Sequence, residues 1–295
     1  MCRRPLHSLL FCPGNKAKVL GKALGQPVDA VVADFEDAVA ESEKQNARVT
    51  TTQVLRDRQS ASASDDSRSS TTLAAIRINE PILESGEADL AFLLDEYASA
   101  SKDSFCCDAI VLPKCEDAAV ITEVAQRTEG RLPIWCMIET SRGVLEAPNI
   151  AALPEVGGLI LGSNDLTKCM RGRQTPTREP LFFAMSMCVT AARANGKFAV
   201  DGVHNDIHDL DGLRANCIQA RDFGFSGKSL IHPGQVEPCN DVFRPSEDDS
   251  FVQEVCVRKG GRQRTSETES DGSEEDRSSC FNEYAYDVWK LCMFG

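Results

Sequence analysis

Eight short apolar runs rich in aliphatic residues recur along the chain and constrain its fold more than any other feature. They are Leu6–Cys12, Ala30–Glu36, Ala74–Asn79, Ala109–Lys114, Pro133–Glu139, Gly158–Asp165, Lys197–Val203 and Gly227–His232. Most are continuous apolar stretches rather than alternating ones, the pattern of strands buried on both faces. Helix-like segments lie between them. Leu181–Ala194 places Leu181, Met185, Cys188 and Ala192 on one helical face. Leu210–Phe223 runs into Gly224, a helix stop, and Asp117–Arg127 is followed by Gly130. Strands alternating with helices imply parallel β/α units, and eight units predict a closed (β/α)₈ TIM barrel over residues 1–257. A doubly wound open sheet is the alternative, because periodicity does not show closure.

Two segments break the rhythm. Residues 57–72 are polar and serine-rich, and residues 258–279 are polar with mixed charge. Neither can bury enough apolar surface to offset the entropy of ordering, so a flexible insertion and a disordered tether are expected. Ser246-Glu-Asp-Asp249 resembles a capping box, starting a short helix to about Val257. Residues 280–295 turn apolar and aromatic again. The formal charge of −13 argues against nucleic acid or an anionic membrane as main partner, and no apolar run reaches the roughly 20 residues of a membrane span. The thirteen cysteines are odd in number and contain no C-x-x-C pair, which fits a reducing compartment. A cytoplasmic location is expected, since the first strand leaves no room for a transit peptide.

In a barrel, chemistry sits at the C-terminal ends of the strands. The polar residues ending each run are Asp34, Glu36 and Asp37, then Arg77 and Asn79, Lys114, Glu139, Asn164 and Asp165, Asp201 and His232. Carboxylates at the ends of buried strands are costly without a cation or donors. Glu139 and Asp165 end consecutive runs and could share one hard divalent ion, with the remaining positions left to water and substrate, as magnesium prefers. The alternative is that these acids cap loops or pair with Arg77, Lys114 and Arg142. Arg77 suits bidentate capture of a carboxylate, or a salt bridge to the acids after strand two. Lys114 fits an ion pair with a rim acid better than a Schiff-base role.

Other motifs fail. Gly224-Phe-Ser-Gly-Lys-Ser229 has the wrong glycine spacing for a phosphate loop. His204 and His208 have metal-ligand spacing but lack the glutamate of a zincin. Lys16, Lys18 and Lys22 open the first helix and could hold phosphates or be solvated.

Taken in order, Ser8-x-Leu10-Phe11-x-Pro13-Gly14, Asp34-x-Glu36-Asp37-x-Val39, Arg77-x-Asn79, Leu112-Pro113-Lys114, Ile138-Glu139-Thr140, Gly162-x-x-Asp165-Leu166, Val200-Asp201-Gly202 and Gly224-Phe-x-Gly-Lys228 resemble successive motifs of the citrate lyase β-subunit-like family. The resemblance covers roughly residues 6–257. It implies a magnesium-dependent TIM barrel that makes or cleaves a C–C bond in CoA thioesters such as citryl-, malyl- or citramalyl-CoA. It further implies Glu139 and Asp165 as Mg²⁺ ligands, Arg77 on the keto-acid carboxylate, and Glu36 and Asp37 holding metal-bound waters. Phe11, Val200 and Asp201 match substrate-contacting positions, and Lys18 and Lys22 match CoA-contacting lysines. Asp287 resembles the family's acid/base aspartate. Here Glu283 replaces a glycine and Trp289 a proline of that closing motif, and His7 replaces an arginine. A CoA-thioester substrate and a homotrimer or other homo-oligomer are the partners the resemblance implies. The expected activity is C–C lyase. The alternatives are malate-synthase-like or thioesterase activity, a CoA-independent aldolase, and a catalytically degraded binding subunit.

Overall fold

The computed structural model describes residues 6–63, 72–99 and 107–244. The chain divides into two units, Met1–Arg244 and Pro245–Gly295, and the second lies outside the described residues. The helix expected after Ser246, the tether, the C-terminal segment and Asp287 therefore also lie outside them.

Every expected run overlaps a strand: β1 (Ser8–Pro13), β2 (Ala30–Asp34), β3 (Leu73–Arg77), β4 (Ala109–Leu112), β5 (Ile134–Ile138), β6 (Val156–Leu161), β7 (Phe198–Asp201) and β8 (Gly227–Leu230). All pairings are parallel and sequential, and β1 pairs with both β2 and β8, so the sheet closes. The open-sheet alternative is thereby excluded. Side-chain alternation splits the apolar residues into two cores. Leu9, Val32, Ala75, Val111, Trp135, Met137, Ile160 and Val200 fill the barrel interior. The opposite faces, including Leu10, Ile76, Ile110, Cys136, Ile138 and Leu159, pack under the helices. With both faces buried, a strand has no polar alternation to show, which is why the runs read as continuous.

The helices follow their strands. They are α1 (Ala17–Leu24), α2 (Lys44–Ala63), α3 (Glu84–Ser99), α4 (Ala118–Arg127), α5 (Ser141–Ala152), α6 (Ser163–Cys169), α7 (Phe182–Ala194), α8 (Leu210–Phe223) and α9 (Val236–Phe243). Asp117 caps α4 and Asp209 caps α8, each accepting a backbone N–H, while Gly224 ends α8 at φ 97°. Leu181, Met185, Cys188 and Ala192 are all buried, as their spacing predicted.

Two expectations need correction. Helix α2 continues to Ala63, so the first part of the serine-rich 57–72 segment is helical rather than a loop. Its low apolar content is offset by the buried polar groups of Lys44, Arg48, Thr51 and Thr52, which hydrogen-bond into the barrel rim or the helix itself. Strand β6 stops at Leu161, and Asp165 belongs to the first turn of α6, not to a strand end. The described cysteines are free thiols, with only Cys169 exposed.

Candidate active site

Register brings the first pair of charged residues together: Asp34 at the end of β2 lies opposite Arg77 at the end of β3. Arg77 Nε and Nη2 each donate to Asp34 at 2.6 Å, a two-point clamp. The same carboxylate accepts the backbone N–H of Glu36 and of Ala38, both at 2.9 Å. Asp34 thus fixes both the arginine and the turn that carries Glu36 and Asp37. Arg77 Nη1, the edge Asp34 does not claim, lies 2.9 Å from Glu36 Oε2. That contact is an ion pair without hydrogen-bond alignment, so the buried Oε2 has no donor. The guanidinium also sits 5.5 Å over the Phe11 ring. Burial works against the charged form of Arg77, but Asp34 and Glu36 outweigh it and raise its pKa.

Glu139 follows β5. Its Oε1 accepts the Lys114 backbone N–H at 2.7 Å. Lys114 has φ 45°, a left-handed conformation uncommon outside glycine. From this bend its ammonium reaches Glu36 at 3.2 Å and Glu80 at 2.5 Å. This is the rim ion pair expected for Lys114. Opposite, Gly162 leaves room for the Glu139 carboxylate: a Cβ there would stand 2.4 Å from Oε2. Burial is the main cause that pushes Glu139 up to about 7, with Glu36 and Asp165 adding to it. Glu36 is raised too, chiefly by burial.

Glu139 and Asp165 line one cleft of about 390 Å³ together with Phe11, Asp37, Arg77 and Met137. The acids of this cleft outnumber its cations. A buried carboxylate oxygen without a donor, a carboxyl pushed toward neutral pH and a glycine kept clear of Glu139 all fit a divalent cation held by oxygen ligands. Among the described residues, no three His, Cys, Asp or Glu side chains are arranged so that all could ligate one metal ion, so protein ligands would leave positions for water and substrate.

The remaining expectations divide. Phe11 lines the cleft. Lys18 and Lys22 are exposed one turn apart on α1, outside the cleft lining. Val200 and Asp201 do not line it. Val200 points into the barrel interior. Asp201 points to the helix side, fully buried, with Lys228 Nζ at 2.5 Å and Arg178 Nη1 at 2.7 Å on its Oδ2. Strand alternation thus sends the two side chains in opposite directions, Val200 into the barrel and Asp201 toward the helices.

Sequence reasoning missed three supports. Lys44 Nζ donates to the carbonyls of Phe35 (2.7 Å) and Glu36 (2.9 Å) and to Asn79 Oδ1 (2.7 Å). Asp89 holds Asn79 by its backbone N–H and its amide, and in turn accepts Arg48 Nε. Asp34 was visible in the acid run, and its pairing with Arg77 realises the salt bridge offered as the alternative for that arginine. The available signal for Lys44 and Arg48 was their i, i+4 spacing, which puts them on one helix face.

The HpcH/HpaI aldolase/citrate lyase family profile matches residues 7–233. A (3S)-malyl-CoA thioesterase of Cereibacter sphaeroides is 41% identical over 242 residues, covering 82% of this chain and 78% of the relative. A citrate lyase subunit beta-like protein of Deinococcus radiodurans is 35% identical over 83% of this chain and 82% of its own length. Among solved structures, CitE of Mycobacterium tuberculosis in complex with magnesium, acetoacetate and coenzyme A superposes with a TM-score of 0.66 at 28% identity, covering 91% of this chain and 92% of that one. The fold, the rim acids and these likenesses agree: the chain belongs to the citrate lyase β/malyl-CoA thioesterase-like branch of the HpcH/HpaI aldolase/citrate lyase family.

Proposed function

We propose that the chain is a magnesium-dependent C–C lyase that splits a short 3-hydroxyacyl-CoA thioester, of the citramalyl-, malyl- or citryl-CoA type, into an acyl-CoA and a 2-keto acid. The observation that carries this reading is the convergence of Glu139 and Asp165 on one acid-rich cleft beside Arg77. Relatives solved with magnesium and small keto or carboxylic acids support it. Glu139 and Asp165 would hold the ion, with Glu36 and Asp37 next to its waters. When bound, the ion supplies Lewis acidity that lowers the pKa of the substrate hydroxyl and stabilises the emerging keto acid.

The chain's own residues do the rest. Arg77, braced by Asp34, orients the substrate carboxylate through its remaining edge and neutralises its charge. Phe11 closes the floor beneath that carboxylate. Loss of the hydroxyl proton lets the C–C bond break, and its electron pair passes into the thioester as an enolate. A proton must then return to the α-carbon; Asp287 is the proposed donor. Lys18 and Lys22 are the proposed contacts of the CoA phosphates, and a homotrimer or other homo-oligomer is the proposed assembly.

A second reading, thioester hydrolysis, is favoured by the 41% identical relative named a (3S)-malyl-CoA thioesterase. One assay separates the two. Citramalyl-, malyl- and citryl-CoA are incubated with Mg²⁺ or with EDTA, and keto acid and free thiol are measured in the same sample. Keto acid without thiol, lost in EDTA, supports the lyase. Thiol with hydroxy acid and no keto acid assigns hydrolysis. No product from any ester with Mg²⁺ rejects both.

A further inference from the structure

A second cleft of about 340 Å³ adjoins the first at the rim, and the proposed chemistry leaves it unused. The two share Ser163, Asn164 and Val203. Between them stands a low wall of amides: Asn164 and Asn205 exchange reciprocal hydrogen bonds of 2.9 Å, and Gln174 donates to Asn164 at 3.0 Å. The outer wall is the loop from α6 to α7, which carries Arg173 into the cleft lining and Arg171 close by. Arg171 and Arg173 are exposed, and neither guanidinium has an ion-pair or hydrogen-bond partner among the described residues, although the Arg171 backbone N–H donates to the Lys168 carbonyl. The loop that bears them is anchored from beneath by Arg178, which grips Asp201, Gln219 and the Asn216 carbonyl. Two unpaired guanidinium groups are thus held on a fixed support in a chain of net charge −13.

The reaction gives this arrangement a use. Its products differ in size: a CoA thioester, and a keto acid of a few atoms with one or two negative charges. The first cleft is rimmed by carboxylates that repel a small anion approaching through solvent. Exposed cations beside it would raise the local anion concentration and the encounter rate. The α1 flank, with Lys18 and Lys22, follows β1, whereas the second cleft is lined from the segments after β6 and β7, with β8 between β7 and β1 in the ring. We propose that the second cleft is the entry and exit route of the small 2-keto-acid anion, steered by Arg171 and Arg173, while the CoA moiety uses the α1 flank. The inference rests on the lyase reading above.

The test runs the reaction in the condensation direction, where acyl-CoA and keto acid have separate KM values. The α-carbon of the acyl-CoA adds to the keto carbonyl, and its α-proton ends on the new hydroxyl, so the step is balanced without a further reactant. In the R171E/R173E double variant the keto-acid KM is expected to rise about 5- to 10-fold at low salt, with the acyl-CoA KM within twofold of wild type. The rise should shrink in 0.5 M salt. K18E/K22E should give the reverse pattern. A raised acyl-CoA KM in R171E/R173E, or an unchanged keto-acid KM, overturns the route. Wild type without turnover in either direction would reject the lyase reading instead. Stopped-flow binding of pyruvate to Mg²⁺-loaded protein then still decides the route, since equal association rates for R171E/R173E and wild type across salt concentrations reject it.

Discussion

Two buried ionic clusters lie on the same barrel, and they differ in sign and in access to solvent. Around Arg77, the acids Asp34, Glu36, Asp37 and Glu139 exceed the cations, and the cluster opens into the cleft. Around Asp201, Lys228 and Arg178 exceed the acid, and both Asp201 and Lys228 have no exposed surface. A closed cluster can only hold elements together, and its charge has nowhere to act. An open cluster with unbalanced acid has an unmet demand for positive charge, which a ligand from solution can meet. Membership of a site is thus decided by access and net charge, not by the presence of buried ions.

The contrast can be broken by experiment. The largest effect is expected from Glu139→Gln or Asp165→Asn, with a loss of about 10³-fold or more in Mg²⁺-dependent turnover while the circular dichroism melt is retained. Activity near wild type without added metal would remove the open cluster from catalysis. Asp201→Asn should do the opposite, lowering stability by about 3–5 kcal/mol in urea melts because two buried cations lose their anion. Burial opposes ionisation of Asp201, but Lys228 and Arg178 outweigh it and hold its pKa below the ordinary value. Its contribution is therefore complete above the unfolded-state pKa of about 3.9 and is lost as pH falls through the lower folded value. The stability gap between wild type and Asp201→Asn should close below about pH 4, and a gap constant with pH would contradict the pairing. The smallest effect is expected at Lys44→Met, about 1–3 kcal/mol from buried acceptors left without a donor, read by thermal unfolding. Because those acceptors include the Phe35 and Glu36 carbonyls, a weaker Mg²⁺ titration should accompany it; unchanged Mg²⁺ affinity would confine Lys44 to the scaffold.

The barrel was legible in the sequence because hydrophobic burial leaves a periodic trace. All eight runs overlap strands, and Leu210–Phe223 is a helix at those bounds. The rim acids were legible as polar ends of apolar runs. The pairing of Arg77 with the acids of strand two was legible as an alternative, and the alignment of β2 with β3 realises it at Asp34. Two things were not. The inward or outward sense of Asp201 depends on strand phase, which a continuously apolar run does not show. Helix α2 has a polar face buried by hydrogen bonds, so its apolar periodicity is weak, and its residues 57–63 read as loop.

The seam of the barrel has a consequence for how the molecule is made. Its first strand meets its last through Ser8 opposite Lys228, and Lys228 is also the register partner of Asp201. Sealing the cylinder must therefore wait until nearly all of the described polypeptide has been synthesised, and it carries an ammonium out of water in the same event. Ring closure should be the late, slow stage of folding, and before it the exposed margins of β1 and β8 are where newly made chains would stick to one another.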